Sequence, residues 1–159
     1  MRIVQVKVYH FDELSKAAKK IALDSHRDVQ VESEDWADLI VGDASDIGLK
    51  ISSFDTYEDE IEGELTQDIR KCIELIKKNH GHNCATYKIA IETETKLSDS
   101  NLSLKELQSI ESEFLDNLLR EYLDMLNNHL NYLTSDEGLA EYFDAKWYEF
   151  TEDGKRFKF

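Results

Sequence analysis

Carboxylates recur at every second position in the stretch YEDEIEGELT, residues 57–66. In an extended strand, successive side chains point to opposite faces, so alternate glutamates share one face. The other face carries Ile61 and Leu65, which can pack against a core. The glutamate side can contact only water, cations or a basic partner, and we call it the carboxylate face. Its four glutamates are Glu58, Glu60, Glu62 and Glu64.

The negative charge of the protein is concentrated around this stretch. The net charge is −15, and residues 31–66 hold twelve acidic residues against one lysine. Asp55 and Asp59 lie beside the glutamates and extend the acidic patch. A field of this sign repels nucleic acid and anionic membranes, and it favours basic partners. Direct nucleic-acid binding and membrane binding are therefore not expected.

The carboxylate face has two interpretations. The first is the solvated face of an antiparallel strand, which is normally polar. Solvated faces usually mix Thr, Lys, Ser and Glu, however, because like charges repel. The second is a partner surface: alternate strand residues lie about 6.6–6.8 Å apart, and duplex DNA presents one phosphate per about 3.4 Å on each strand. A groove built for phosphates would attract this array, which is about half as dense.

The segment HGHNC raises the question of a metal site, because His80, His82 and Cys84 occupy alternate positions and Cys72 lies one predicted helix away. Structural zinc sites usually combine a C-x₂₋₄-C pair with a second ligand pair, and this spacing is missing. We therefore expect a helix end whose histidines lie near the negative end of the helix dipole. Neither a metal nor a cofactor is expected.

Catalytic motifs give little support for an enzyme. The sequence contains no G-x-S-x-G, no H-E-x-x-H, no phosphate-binding glycine loop and no calcium loop. Nothing distinguishes one of the 34 acidic residues as a general acid. We expect a protein that is not an enzyme, with a small enzyme acting through the His80–Cys84 cluster as an alternative.

Hydrophobic periodicity predicts an α+β fold with a small antiparallel or mixed sheet covered on one side by helices. Residues 2–9 are predicted to form a first strand, and a helix capped by Asp12 or Ser15 follows. A second helix begins near Ser33 and ends at Gly48. Residues 49–56 and 58–65 are then expected to pair as a hairpin.

The second half of the chain is predicted to be mainly helical. Thr66 would cap a helix that ends at Gly81. Residues 87–95 alternate again and predict a strand, which would add Glu92 and Glu94 to the polar face of the sheet.

The last third of the chain should contain one long helix. A capping box, Ser103–Glu106, is expected to open it, and it should run to about Leu133. A second capping box, Thr134–Glu137, predicts a short helix. The dipeptide Asp153–Gly154 predicts a type I′ turn in a terminal β-hairpin.

The length of 159 residues predicts a single acidic domain covering 1–159. No run of about 18 apolar residues occurs, so no membrane span is expected. Two cysteines give no disulfide framework and favour a reduced cytoplasmic setting.

Motifs at the two ends of the chain, VYHFDELSKAAKKIA and YLTSDEGLAEYF with YEFTEDGKRF, resemble a family of small phage and prophage proteins. Its members are mostly uncharacterised and are sometimes labelled antitoxins. The resemblance covers roughly the first 50 and the last 30 residues. It implies a phage accessory gene and assigns no catalytic residue. The matching residues are Tyr9, Phe11, Asp12, Glu13, Leu14, Ser15, Trp36, Tyr132, Ser135, Asp136, Glu137, Tyr148, Glu149, Phe150, Glu152, Asp153 and Gly154.

These observations predict a phage-associated inhibitor that acts in the cytoplasm of the host cell. Its carboxylate surface would occupy the basic groove of a nucleic-acid-binding defence enzyme, as an anti-CRISPR or anti-restriction protein that mimics DNA. The alternative partner is a basic toxin, which an antitoxin would neutralise by the same electrostatics. The predicted contact residues are Asp55, Glu58, Asp59, Glu60, Glu62, Glu64, Glu92 and Glu94.

Overall fold

The structure, a computed structural model, describes residues 5–158 apart from the side chain of Glu34. It confirms the α+β class, with a two-stranded antiparallel sheet and a long helix near the C-terminus. Short 3-10 helices cover Phe11–Glu13 and Glu34–Ala37. The other elements are α1 (Lys16–Asp24), α2 (Asp38–Asp46), β1 (Leu49–Asp55), β2 (Glu60–Leu65), α3 (Ile69–Asn79), α4 (Ala85–Lys96), α5 (Leu104–Leu133) and α6 (Asp136–Ala145).

The chain divides into two compact units. Unit one comprises residues 1–36 and 129–159, and unit two comprises residues 37–128. Each unit has its own cluster of buried apolar side chains. The single domain expected from the sequence stays a prediction.

Unit one packs α1 and α6 around an aromatic core. Ser15 caps α1 by accepting a hydrogen bond from the Ala18 backbone N–H at 3.2 Å, which confirms one of the two predicted caps. The apolar side of α1 is only partly covered, because Ile21 is 47% exposed. The buried residues of this core are Leu14, Ala18, Ala22, Leu23, Leu139, Phe143, Tyr148 and Phe150.

The predicted N-terminal strand over 2–9 is not formed in the part that the structure describes. Residues 1–4 lie outside the described range, and 5–8 have no regular structure. Tyr9 alone pairs with Phe150, through two backbone hydrogen bonds of 2.9 Å. A single bridge at Tyr9 is too short to count as a strand, because a β-strand needs several consecutive paired residues.

The terminal hairpin is tight and contains a single bridge between Phe150 and Arg156. Its turn is not the predicted type I′, because that turn needs positive φ at two residues and here Gly154 (φ 83°) has it while Asp153 does not. Hydrogen bonds from Gly154 N–H to Thr151 O and from Thr151 N–H to Lys155 O close a longer loop instead. A Cβ at Gly154 would lie 2.2 Å from Ala18 O, so glycine also allows this turn to approach α1.

Unit two places the hairpin of β1 and β2 against helices. Gly48 ends α2 with φ 82°, as its position in the sequence predicts. The predicted cap of α3 is wrong, however, because the Thr66 N–H and hydroxyl both bond to Gly48 O. Asp68 is the cap instead and accepts from the Arg70 N–H at 2.9 Å.

The ends of α5 and α6 test the two predicted capping boxes. Glu106 accepts a hydrogen bond from the Ser103 N–H at 2.7 Å and donates its own N–H to Ser103 Oγ at 3.3 Å, which confirms the first. At α6 the cap is Ser135 rather than Thr134, because the Thr134 hydroxyl bonds to Leu130 O at the end of α5.

Among residues 5–158, no helix has the length and apolar character needed to cross a membrane.

Candidate functional site

Three of the four glutamates of the carboxylate face lie on the outer side of the hairpin, as predicted. Glu60, Glu62 and Glu64 fall in β2 and are exposed, and their alternation with partly buried Ile61 and Leu65 follows the period of two. Glu58 lies in the turn before the strand, not in the strand. The outward cross-strand pairs are Lys50 with Glu64, Ser53 with Glu62, and Asp55 with Glu60.

A β-bulge in β1 decides which of its side chains join this face. The pairing register shifts between Ile51 and Ser53, so Ser52 is an extra residue. Regular alternation from Leu49 would turn Phe54 to solvent and Asp55 towards the core. The bulge reverses both, so Phe54 pairs opposite Ile61 and Asp55 lies opposite Glu60.

The turn at the hairpin tip is built by two of the predicted contact residues. Asp55 Oδ1 accepts hydrogen bonds from the backbone N–H groups of Tyr57 (2.8 Å) and Glu58 (3.0 Å). Asp59 has φ 58° and accepts from Asn127 Nδ2 of α5 at 3.2 Å. These two aspartates therefore shape and anchor the turn. Tyr57 at the tip is 92% exposed, and no pattern in the sequence identifies it as a contact residue.

Gly63 sets how closely β2 approaches α5. A Cβ at this position would lie 2.5 Å from Lys50 O and 2.9 Å from Leu119 Cδ2. Ile51, Ile61 and Leu65 pack beside it on the core that includes Leu119. The strand therefore lies flush on the helix, which directs the glutamates on its other side outward.

Few cations neutralise the carboxylate face. Lys50 Nζ lies 3.3 Å from Glu64 Oε1, and both side chains are more than half exposed, so this pair contributes little stability. In the described part of the chain, Glu58, Glu60 and Glu62 form no ion pair. The negative field of the hairpin is therefore available to a partner.

A groove of about 460 Å³ runs between β2 and α5 beside this face. Asp59, Glu60 and Glu62 line it from the hairpin, and Asp116 and Arg120 line it from the helix. The helix residues were not predicted from the sequence. Their spacing of four places them on one helical face, but only the packing of β2 on α5 identifies which face meets the hairpin.

The predicted strand over 87–95 is wrong, because these residues lie in α4. The buried positions are Thr86, Ala90 and Thr93, a helical spacing of small side chains, with Ala90 fully buried. This spacing overrides the alternation of larger residues that predicted a strand.

Glu92 and Glu94 consequently do not join the carboxylate face. Glu94 accepts hydrogen bonds from Lys77 Nζ of α3 at 2.9 and 2.8 Å. Glu92 lies one turn before Lys96, with 3.9 Å between the charged groups. Glu94 therefore links α4 to α3, and Glu92 lies near a lysine of its own helix.

The HGHNC segment is split between different environments. His80 Nδ1 lies 2.6 Å from Thr86 Oγ1, whereas the His82 ring packs on Tyr87 with 4.5 Å between centroids. Cys84 is exposed, and Cys72 is fully buried, which raises the pKa of its thiol. Within the described residues, no three or more His, Cys, Asp and Glu side chains are arranged to hold a metal ion. That zinc does not bind here stays a prediction.

His80 lines a separate pocket of about 330 Å³ in unit two. Its Nε2 lies 3.4 Å from Asp43 Oδ1 of α2. Both ring nitrogens are thus directed at groups other than Cys84, which does not favour the thiol enzyme considered as an alternative. Glu121 and Met125 of α5 complete the wall opposite Cys84.

The motif residues behind the phage-family resemblance have structural roles where the structure describes their contacts. Ser15 and Ser135 cap helices. Phe11 and Phe150 pack in the aromatic core of unit one, with 6.2 Å between ring centroids. Asp136 pairs with Arg27 Nη1 at 2.6 Å. None of these contacts assembles reactive groups.

Comparison with protein-family models, curated proteins and solved structures finds no match to this chain.

Proposed function

We propose that this protein inhibits a nucleic-acid-binding enzyme of a bacterial host by occupying the enzyme's basic groove, and that it acts in a phage or prophage setting. The observation that carries the proposal is the row of exposed glutamates on the outer face of the hairpin. Glu58, Glu60 and Glu62 lack cationic partners in the described chain, and Glu64 meets one exposed lysine.

The row resembles a strand of phosphates in charge and direction. Alternate residues of β2 lie about 6.6–6.8 Å apart, against about 3.4 Å between phosphates along one DNA strand. Arginine and lysine side chains that bind phosphate also donate charge-assisted hydrogen bonds to carboxylates. The arginine and lysine side chains of a basic groove can therefore donate hydrogen bonds to the glutamates of this face.

The hairpin tip supplies an aromatic anchor beside the charges. Tyr57 is 92% exposed and is flanked by Glu58. Exposed tyrosines often dominate binding energy at interfaces, and arginine guanidinium groups stack on aromatic rings. Asp55 and Asp59 contribute by holding the turn that presents this ring.

Affinity capture with competition tests the proposal. Immobilised protein is incubated with bacterial lysate at low salt, washed, and eluted with duplex DNA, and eluted proteins are identified by mass spectrometry. We expect a nucleic-acid-binding enzyme that DNA displaces and whose activity falls when the purified protein is added. Retention of a small basic toxin instead, or capture that DNA does not reverse, would count against the proposal.

A further inference from the structure

In the pocket around His80, the buried Nε2 atom of this side chain lies 3.4 Å from Asp43 Oδ1 but forms no hydrogen bond with it. The His80 side chain is 9% exposed. Its Nε2 atom is buried and has no hydrogen-bond partner among residues 5–158. Because an unpaired buried polar group destabilises a fold, its presence points to a group that the pocket accommodates from outside.

The charges around this atom are negative. Asp43 and Glu121 line the pocket, and no lysine or arginine of the described chain does. Asp43 Oδ2 accepts a hydrogen bond from the Tyr122 hydroxyl at 2.6 Å. Burial, together with this hydrogen bond, raises the pKa of Tyr122 far above its ordinary value, so its hydroxyl remains a donor. Asp43 Oδ1 is then the carboxylate oxygen that faces His80.

We propose that this pocket binds a primary alkylammonium group. Asp43 Oδ1 and His80 Nε2 lie 3.4 Å apart, so one nitrogen can donate to both at ordinary hydrogen-bond lengths. Glu121 lines the same pocket and adds a second negative charge that favours a cation. Met125 and Ala85 provide apolar contact for a short alkyl chain.

The size of the pocket limits the ligand. A volume of about 330 Å³ lies at the lower end of the range for small-molecule sites. A four-carbon amine or the end of a lysine side chain is small enough to fit in this volume. This inference is independent of the proposed inhibition, because the pocket and the carboxylate face use different residues.

Titration of the protein with 1-aminobutane tests the inference, with the imidazole resonances of His80 as the readout in NMR spectra. Tetramethylammonium is the matched probe, since it has the same charge but no N–H donors. We expect saturable shifts of the His80 resonances with 1-aminobutane and none with tetramethylammonium. The same titration with Nα-acetyl-lysine methylamide shows whether a lysine side chain with its backbone can enter, or only a free amine.

Two variants complete the test. Asp43→Asn keeps an acceptor for Tyr122 but removes the charge, and it should weaken 1-aminobutane binding at least about 10-fold. Glu111→Gln removes an exposed carboxylate of α5 that does not line this pocket, and it should leave the affinity unchanged. Melting curves establish that both variants are folded. Equal binding of tetramethylammonium, or unchanged affinity in Asp43→Asn, would overturn the assignment. No partner protein is needed, so this result is separate from that of the capture experiment.

Discussion

Two segments with the same alternating pattern adopt different structures. Residues 58–65 and 87–95 both place glutamates and apolar residues in alternation, and both predict a strand. The first contains β2, whose glutamates are exposed. The second lies in α4, and its Glu94 pairs with Lys77.

The comparison indicates that small buried residues decide whether such a segment follows the helical period of 3.6 or the strand period of two. In the second segment Thr86, Ala90 and Thr93 recur at helical spacing and are buried. In the first, Gly63 lies within the alternation and lets the strand backbone contact Leu119. These placements decide what the glutamates contact: Glu94 meets Lys77 of α3, whereas Glu60 and Glu62 of the hairpin form no ion pair within the described chain.

The largest expected effect is on partner binding. Replacing all four glutamates of the carboxylate face by glutamine removes four charges and keeps shape and polarity. A charge-assisted hydrogen bond contributes about 1.5–3 kcal/mol, so affinity for the captured enzyme should fall at least about 100-fold. Binding assays over a range of salt should also show a reduced salt dependence.

The matched control is the double change Glu92→Gln and Glu94→Gln, which removes two charges of the other segment. It should leave partner affinity within a few-fold of wild type. Equal losses in the two variants would mean that net charge alone, and not the hairpin, recruits the partner.

The next largest effect concerns stability at the glycine. Gly63→Ala places a Cβ against Lys50 O and Leu119, and overpacking of this kind typically costs about 1–3 kcal/mol. Gly42→Ala in α2 meets nothing within 4 Å and should stabilise the helix by about 0.5–1 kcal/mol. Urea unfolding of both variants measures the free energy of unfolding, which should fall for Gly63→Ala and rise for Gly42→Ala. A neutral Gly63→Ala would show that β2 does not rely on close contact with α5.

A smaller effect should distinguish the two sets of glutamates in the free protein. The quadruple glutamine variant relieves repulsion along β2 and should melt slightly above wild type. Glu94→Gln loses the pair with Lys77 and should melt slightly below it. Thermal melts at low salt provide the measurement, and high salt should reduce both shifts. Shifts of the same sign would contradict the different environments of the two segments.

The smallest effect is a pH dependence of the second segment. The hydrogen bond with Glu94 raises the pKa of Lys77 above 10.5. Stabilisation by a group with a raised pKa is complete below the unfolded value and is lost as the pH rises through the folded value. The melting difference between wild type and Glu94→Gln should therefore persist at neutral pH and disappear only in alkali, as the pH rises through the raised pKa of Lys77. If the melting difference persisted in strong alkali, the effect of Glu94→Gln would come from packing and not from the ion pair with Lys77.

Local signals made much of this fold predictable. Gly48 ends α2, and the Ser103–Glu106 box opens α5. Both signals can be read from the sequence because the conformation or hydrogen bonds that they require involve only residues a few positions apart. The hairpin also follows from its own alternation. Thr66 and Thr134 were mistaken for caps because their hydroxyls bond instead to carbonyl oxygens at the ends of the preceding α2 and α5 segments.

The sites were predictable only where one segment forms them. The carboxylate face needs the hairpin alone, and its glutamates were found from the sequence. The His80 pocket joins Asp43 of α2, Thr86 of α4 and Glu121 of α5, and no spacing in the sequence relates these residues. Asp116 and Arg120 beside the hairpin were missed for the same reason.

The bulge at Ser52 and the glutamates of β2 also oppose edge-to-edge pairing between two hairpins. In the described chain the sheet has two strands, so both are edges, and free edges template aggregation. The bulge bends β1 away from regular pairing. Pairing through β2 would bring glutamates of two copies about 4.7–4.9 Å apart, where like charges repel. Charge repulsion between these glutamates therefore disfavours edge-to-edge pairing of two hairpins, and high salt, which screens this repulsion, should weaken that protection.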